Sequence, residues 1–323
     1  MEIKVCTTLE WTDKIWETYL QSFNTVFKKD FDMNHFKEKY LNVLDNSSYH
    51  ALLLDETKNV VGGLSVMPFK YKNDLKIIRL GQAVDSFIIE KYRTDPLMLR
   101  KMYVQLKKLL IIKDIKAVLS VPNETSYPYF KKIVKWKDVG DLNYWILPIR
   151  IGNMINKWHF LNFLSLLFVP IWLGFNYIIM LIANNKEKRS NYELVLDDNF
   201  YQNKFTSEYT KITLKDIVFY FRIYNEEGVK TAYLMDVKQN NILTFKSIYK
   251  AVSYISRKTN SDMVLYVGSI KLFQTILIKS PKRYEPKRLP LTCDILNKDE
   301  IDQYSNMFEL DSWNYGLINF DVR

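Results

Sequence analysis

The sequence predicts a mixed α/β protein of two domains, and three observations carry that prediction. Short apolar or aromatic runs alternate along the chain with longer stretches in which apolar residues recur every three to four positions, the pattern of strands and amphipathic helices. A similar order of elements occurs twice, in residues 1–150 and again in 193–323. Between them, residues 151–192 hold an uncharged run at 160–183, FLNFLSLLFVPIWLGFNYIIMLIA, unlike the chain on either side. At 323 residues the chain is long enough for two domains of ordinary size.

Residues 2–6 read as a first strand. Thr12 or Asp13 can cap a helix through Phe23, with Ile15, Trp16, Tyr19, Leu20 and Phe23 on one face. A second helix over 33–44 places Phe36, Tyr40, Leu41 and Leu44 together, and Asn46-Ser47-Ser48 ends it. Residues 49–54 and 60–71 read as a hairpin turned at Glu56-Thr57-Lys58-Asn59. Residues 75–80 lead into the stretch that organises this half, 81–109. Its first part, 82–89, is apolar and aromatic without helical period, which suits a strand covered on both faces. From Leu97 a helical stripe follows through Leu99, Met102, Tyr103, Leu106, Leu109 and Leu110. Thr94 or Asp95 can cap that helix, and Pro96 fits its first turn. Residues 117–121 form a strand stopped at Pro122-Asn123. A helix with Tyr127, Phe130 and Ile133 inward comes next, and 136–149 supplies two strands about Gly140-Asp141.

Composition narrows the classes. Hydrophobic residues make up 48% and aromatics 15%, so a packed core is available. Nine glycines in 323 residues fall well below the usual ~7%, which argues against glycine-rich nucleotide loops. Forty-six basic residues against 36 acidic give +10, which suits an anionic partner: a phosphorylated cofactor, a nucleotide sugar, tRNA or an acidic membrane surface. Cys6 and Cys293 stand far apart and form no disulfide framework or metal motif, and His35, His50 and His159 are scattered, so no metal is expected. The N-terminus carries charges where a secretory signal needs an apolar run, and a cytoplasmic location is the expectation.

A strand that delivers the chain into a helix N-terminus leaves backbone N–H groups free to hold an anion. At that junction Phe87-Ile88-Ile89-Glu90-Lys91-Tyr92-Arg93 resembles the crossing of the GNAT acyl-CoA N-acyltransferase superfamily, whose Tyr-Arg pair and glycine-rich loop grip the coenzyme A pyrophosphate. Thr94, Pro96 and Met98 stand where the family has glycines, and Asp95 puts a negative charge at the helix start. Asn123 and Lys132 resemble the family's second motif. Phe130 stands where the family often has a tyrosine acid, with Tyr129 beside it. The layout covers nearly all of residues 1–150.

The resemblance implies two GNAT-like mixed-sheet domains, an acyl-CoA-binding one over 1–150 and a degenerate one over 193–323, joined by a hydrophobic helical connector. It implies acetyl-CoA as co-substrate. The main-chain groups of Ser86, Phe87 and Ile88 would hold the pantetheine and polarise the thioester, while Arg93, Thr94, Asp95, Leu97 and Met98 would face the pyrophosphate. Asn123 would touch the coenzyme arm or cap the helix behind Pro122. Asp85 and Glu90 are the candidate bases, and Tyr129 and Tyr127 the candidate acids. Asp85 and the tyrosines have structural alternatives: Asp85 paired with a basic neighbour, the tyrosines packed as core.

In the second half, 217–224 and 229–237 read as paired strands, 245–258 as a helix with Ile248, Ala251, Val252 and Ile255 inward, and 263–267 as a strand. Residues 272–278 read as a short helix, and 289–295 and 313–321 as closing strands. The connector passes the ~20-residue length of a membrane span. Pro170 divides it, and Arg150, Lys157, Lys186, Lys188 and Arg189 make both flanks basic, which predicts a hairpin in one cytosolic leaflet. A helix pair buried between domains, a homodimer interface and a true span are the alternatives.

Tandem GNAT-like domains about a hydrophobic connector resemble bacterial proteins of this superfamily associated with surface-polysaccharide synthesis. The leading expectation is transfer of an acetyl or other acyl group from coenzyme A to a small-molecule or lipid-linked amine, an amino sugar above all. The rivals are an aminoacyl-tRNA-dependent peptidyl transferase of tandem GNAT type and a non-catalytic module that binds a glycan or a protein. No recognised nucleic-acid motif accompanies the interleaved lysines and tyrosines.

Overall fold

The computed structural model describes residues 1–74, 76–155, 158–182, 190–205, 208–239, 242–272 and 275–320. The chain folds into two compact units, one from Met1–Asp141, Asn191–Lys204 and Arg288–Trp313, the other from Leu142–Ser190, Phe205–Lys287 and Asn314–Arg323. In order, the elements are β1 (Glu2–Thr7), α1 (Asp13–Phe27), α2 (Met33–Leu41), β2 (Tyr49–Leu54), β3 (Val60–Asn73), β4 (Lys76–Ile88), α3 (Met98–Ile112) and β5 (Ile115–Ser120). A helical turn α4 (Tyr127–Tyr129) runs on as a π-helical turn over Phe130–Val134. Then come β6 (Lys137–Asp141), β7 (Tyr144–Pro148), α5 (Ile151–Ile155), α6 (Leu161–Ile182), β8 (Tyr192–Leu194), α7 (Asp198–Lys204) and β9 (Thr210–Leu214). The chain continues through β10 (Ile217–Glu226), β11 (Val229–Gln239), α8 (Phe245–Lys258), β12 (Met263–Val267), β13 (Ile278–Lys279) and β14 (Pro290–Ile295).

The first unit is a mixed sheet in the order β1-β2-β3-β4-β5-β14-β6. Its neighbours are antiparallel except β4 and β5, which run parallel and need the α3 crossover between them. Both faces are covered. Tyr49, Ala51 and Leu53 of β2 join the core under α3, and Leu52 and Leu54 join the one under α1 and α2. Thr12 is the α1 cap and accepts from the Ile15 amide. The second helix stops at Leu41 rather than Leu44, because the backbone turns out of helix at Asn42 and reaches φ +66° at Asp45. Neither Thr94 nor Asp95 caps α3. Leu97 holds the cap position, and the Asp95 carboxylate accepts its amide at 2.8 Å, an Asx turn just ahead of the helix.

Several strands lie outside the expected division at 150 and 193, among them β8, which pairs with β3 of the first sheet from Tyr71↔Leu194 to Asn73↔Tyr192. β7 belongs to the second sheet, where it pairs antiparallel with β12 from Pro148↔Met263 to Tyr144↔Val267. β14 belongs to the first, inserted between β5 and β6. β7 and β14 are short apolar runs, and such a run does not say which sheet edge it completes. The second sheet runs β13-β7-β12-β11-β10-β9. Phe219, Phe221, Leu234 and Val264 from that sheet share a core with Ile248, Val252 and Ile255 of α8 and with Val169 and Leu173 of α6. Thr244 and Ser247 close a reciprocal cap on α8, whose bounds match the expectation. Of the helix expected over 272–278, residues 273 and 274 lie outside the described residues, the rest is irregular, and Ile278 opens β13. The closing strand expected over 313–321 is limited to Trp313–Asn314, followed by a 3-10 turn at Leu317–Asn319; Asp321 lies outside the described residues.

The hairpin expected at Pro170 is absent: α6 is one helix of 22 residues with Pro170 inside it. Val169 and Leu173, on either side of the proline, are buried in the same core, which holds both turns in helix. By length and composition α6 could cross a membrane, with a mean hydropathy of 2.0 over its best window. The flanking residues Lys157, Ala183, Lys186, Lys188 and Arg189 lie outside the described residues.

Close packing at β4 yields a first prediction. A Cβ at Gly81 would come within 2.4 Å of Val66 Cγ1 and 3.4 Å of Val118 Cγ2. Gly81→Val is therefore expected to destabilise by about 1–3 kcal/mol through overpacking. An unchanged denaturant midpoint would show that β3 and β5 yield at no cost.

Candidate active site at the end of β4

The site lies where β4 leaves β5. Their parallel pairing runs from Arg79↔Ile115 to Gln82↔Leu119 and goes no further, while β4 stays paired with β3 to Ile88↔Gly62. The register against β3 shifts between Ser65↔Val84 and Gly63↔Phe87, so Asp85 and Ser86 face one residue where two would be expected, a β-bulge. Asp85 takes the left-handed conformation there, at φ +50°, a region that aspartate tolerates better than most side chains. The Ile89 amide donates to Val61 of β3. Strand alternation then turns the main-chain groups of Ile88 and Ser86 to the side β5 has vacated.

Arg93 follows the 3-10 turn Glu90–Tyr92 and folds back on this edge, its Nε donating to the Ile88 carbonyl at 2.8 Å. Tyr92 and Arg93, expected at the crossing, are thus at the end of β4. Thr94 is exposed on the following turn. Asp95 is held by Lys101 at 2.7 Å and by the Leu97 amide, which together keep its carboxyl below the usual carboxylate range. Leu97 is 42% exposed, whereas the Met98 side chain is buried in the α3 core and its role here is packing.

The candidate bases differ in setting. Glu90 is exposed. Asp85 is inside, ion-paired to Lys39 at 2.7 Å with both side chains under a tenth exposed, and it accepts from the Tyr40 hydroxyl at 2.5 Å. The pairing with a basic neighbour is therefore present. A buried polar chain continues from there. Tyr40 meets the Tyr19 hydroxyl at 2.6 Å, Tyr19 meets Ser65 at 3.3 Å, Ser65 meets His50 Nδ1 at 2.9 Å, and His50 Nε2 meets Thr8 at 2.8 Å. Burial, with the Asp85 charge next, holds the Tyr40 hydroxyl protonated well above its ordinary range. Burial pushes the His50 imidazole down to about 3.

Sequence reasoning missed this chain. Its one signal is Lys39 three residues after Phe36, on the edge of the apolar stripe of α2.

The two candidate acids part company. Tyr129 is half-buried against the α3 core; burial raises its hydroxyl, and the Asp95 carboxylate adds to the rise, so the two groups share one neighbourhood. Tyr127 instead donates to both Asp138 oxygens at 3.0 Å, accepts from Lys131 at 3.1 Å and lies under Arg288, in a cluster anchored on β6. Asn123 acts as a local cap: its Oδ1 accepts the Ser126 amide at 2.9 Å and its carbonyl accepts the Tyr127 amide at 2.8 Å. No group of three or more metal-ligating side chains occurs among the described residues.

Comparison with known proteins agrees with this geometry at the level of fold. No protein-family model and no curated protein matches the chain. Among solved structures it is similar to a GCN5-related N-acetyltransferase from Anabaena variabilis, with TM-score 0.57 and 13% identity over 92% of this chain and 73% of that one. A GCN5-related N-acetyltransferase from Kribbella flavida gives 0.55 and 9% over 91% and 72%. The N-myristoyltransferase of Saccharomyces cerevisiae with bound myristoyl-CoA gives 0.52 and 11% over 90% and 82%. The chain has the fold of the GCN5-related N-acyltransferase superfamily, across both of its units.

Proposed function

We propose that the chain is an acyltransferase that moves an acetyl or longer acyl group from coenzyme A to a primary amine. The observation that carries this reading is the end of β4–β5 pairing at Gln82↔Leu119, directly ahead of a bulge that leaves main-chain groups of Ser86 and Ile88 on the vacated edge. Such an edge can hydrogen-bond a pantetheine arm as a strand would, and an N–H aimed at the thioester carbonyl stabilises the oxyanion as the amine adds. The amine loses its proton to Glu90 directly or through one water. The carbon–sulfur bond then breaks, and the departing thiolate takes a proton from Tyr129, whose raised hydroxyl stays protonated at neutral pH. Arg93, tied to the edge by Ile88, pairs with the pyrophosphate. Asp85 fixes the bulge instead of accepting a proton, since Lys39 and Tyr40 already bind it.

One observation favours a second reading, a binding module without turnover: the Asp95 carboxylate already holds the Leu97 amide that the coenzyme loop of the family would offer to phosphate. Calorimetry of the whole chain with acetyl-CoA, followed by thiol release in the presence of hexosamines and other amines, separates the two. Binding with thiol release supports transfer, binding without it at any amine supports the module, and no heat removes the coenzyme from both. Arg93→Ala is expected to weaken binding by about 1.5–3 kcal/mol, the range for a hydrogen bond to a charged group. Asp95→Asn is expected to tighten it.

A further inference from the structure

The charge of the chain is divided unevenly. The first unit carries 26 basic and 27 acidic residues, a net of −1, and the second carries 20 basic and 9 acidic, a net of +11. All of the positive balance therefore sits on the unit that contains α6. On α6 the usual distribution of a surface helix is reversed. The face packed on the unit holds its polar side chains: Ser165 accepts the Ile151 amide and donates to Leu161, Asn162 donates to Asn153, and Asn176 donates to the Trp172 carbonyl. The outward face is apolar throughout. Phe163, Leu167, Ile171, Phe175, Ile178 and Ile182, at spacings of three and four, are 53% to 81% exposed. Soluble monomers rarely leave so continuous an apolar stripe to water.

Beside it lies α8, whose Tyr249 ring meets Tyr177 of α6. Lys246, Lys250 and Arg257 recur on α8 at i, i+4 and i+11, one stripe at 3.6 residues per turn, on the side opposite Ile248 and Ile255, and α8 has no acidic residue. An apolar face thus runs alongside a helix that presents only positive charge.

We infer that this helix pair is a seat for an anionic phospholipid bilayer. α6 lies in the plane of the headgroups with its outward stripe in the acyl boundary, and the α8 cations meet the phosphates. α6 does not thread the hydrocarbon. Val169 and Leu173 bind it to the core of the unit and the Trp172 indole donates to Ile276, so one side of it is protein along its middle turns. Nucleic acid would use the same charge but has no use for a stripe of phenylalanine, leucine and isoleucine. This inference stands apart from the acyl-transfer reading, which rests on the other unit.

Flotation of the full chain with two kinds of vesicle tests it: phosphatidylglycerol mixed equally with phosphatidylcholine, and phosphatidylcholine alone. The expected result is flotation with the anionic vesicles, reduced by salt and much weaker with the neutral ones. A variant combining Leu167→Glu, Ile171→Glu and Ile178→Glu is expected to lose binding at least ten-fold with an unchanged thermal midpoint, because these side chains are already exposed. Should it fail to fold, Lys246→Glu with Lys250→Glu carries the test: it is expected to remove the preference for anionic vesicles. Three results would overturn the inference. They are a chain that stays at the bottom of the gradient with both vesicles, a dimer that the α6 variant dissociates without any flotation, and retention of tRNA by a chain that does not float.

Discussion

Asp85→Ala is expected to destabilise the protein by about 3–5 kcal/mol, the cost of removing one partner from a buried ion pair. The pair is Lys39 Nζ and Asp85 Oδ2 at 2.7 Å, with 7% and 8% of the two side chains exposed. Desolvation makes such a pair a poor source of net stability, but it makes the half-broken state worse, since the ammonium would lose the carboxylate it faces. Tyr40 loses its acceptor in the same change. Alanine is also a poorer occupant of φ +50° than aspartate. The double variant Lys39→Met with Asp85→Asn is expected to recover most of the loss, because it removes both charges and keeps a side chain suited to the left-handed backbone. Urea unfolding of the three proteins decides it. A cost under about 1 kcal/mol for Asp85→Ala would mean the pair is solvated and does not lock the bulge. Coenzyme binding measured on the same variants tests the link to function: if the bulge holds the β4 edge in shape, the alanine variant binds more weakly while still folded, and the double variant binds as the natural protein does.

Element type was legible in the sequence because period is local. The stripe of α8 follows from apolar side chains three and four positions apart, β2 is a short run buried at every position, and α1 announces its start with Thr12. Sheet membership was not legible, because it is decided by hydrogen-bond partners more than a hundred residues away. Tyr144–Pro148 reads as the natural last strand of the first half, yet it completes the second sheet. Pro170 misled for a related reason: a proline inside a helix is a local cost, and the burial of Val169 and Leu173 on either side outweighs it. The candidate site divides in the same way. Asp85, Ser86, Ile88 and Arg93 could be named from the strand-to-helix crossing. The partners of Asp85 could not, since Lys39 and Tyr40 come from α2 and the chain to His50 passes through α1, β3 and β2.

Unfolding free energy is expected to fall as pH drops below about 6.5, by about 1.4 kcal/mol per unit, on account of His50 alone. Its imidazole is fully buried, spans Thr8 and Ser65 with its two nitrogens, and packs on the Trp11 and Tyr40 rings. Burial lowers it from 6.5 to about 3, and the Asp85 charge, reached through Tyr40, opposes that fall without reversing it. The sign follows from proton counting. Between about 3 and 6.5 the unfolded chain binds a proton at this residue that the folded chain does not, so stability rises with pH across that window and is fully present above it. From pH 6.5 down to 5 the loss amounts to roughly 2 kcal/mol at that slope. Carboxylates titrate nearby, so the informative quantity is the difference from His50→Gln, whose amide can still reach Thr8 and Ser65 but takes up no proton. Denaturant unfolding of both proteins from pH 8 to 5 should give curves that converge as the pH falls, the natural protein losing the more. Parallel curves would mean that the folded state protonates His50 at its ordinary pKa, and that the chain from Asp85 to Thr8 is open to water.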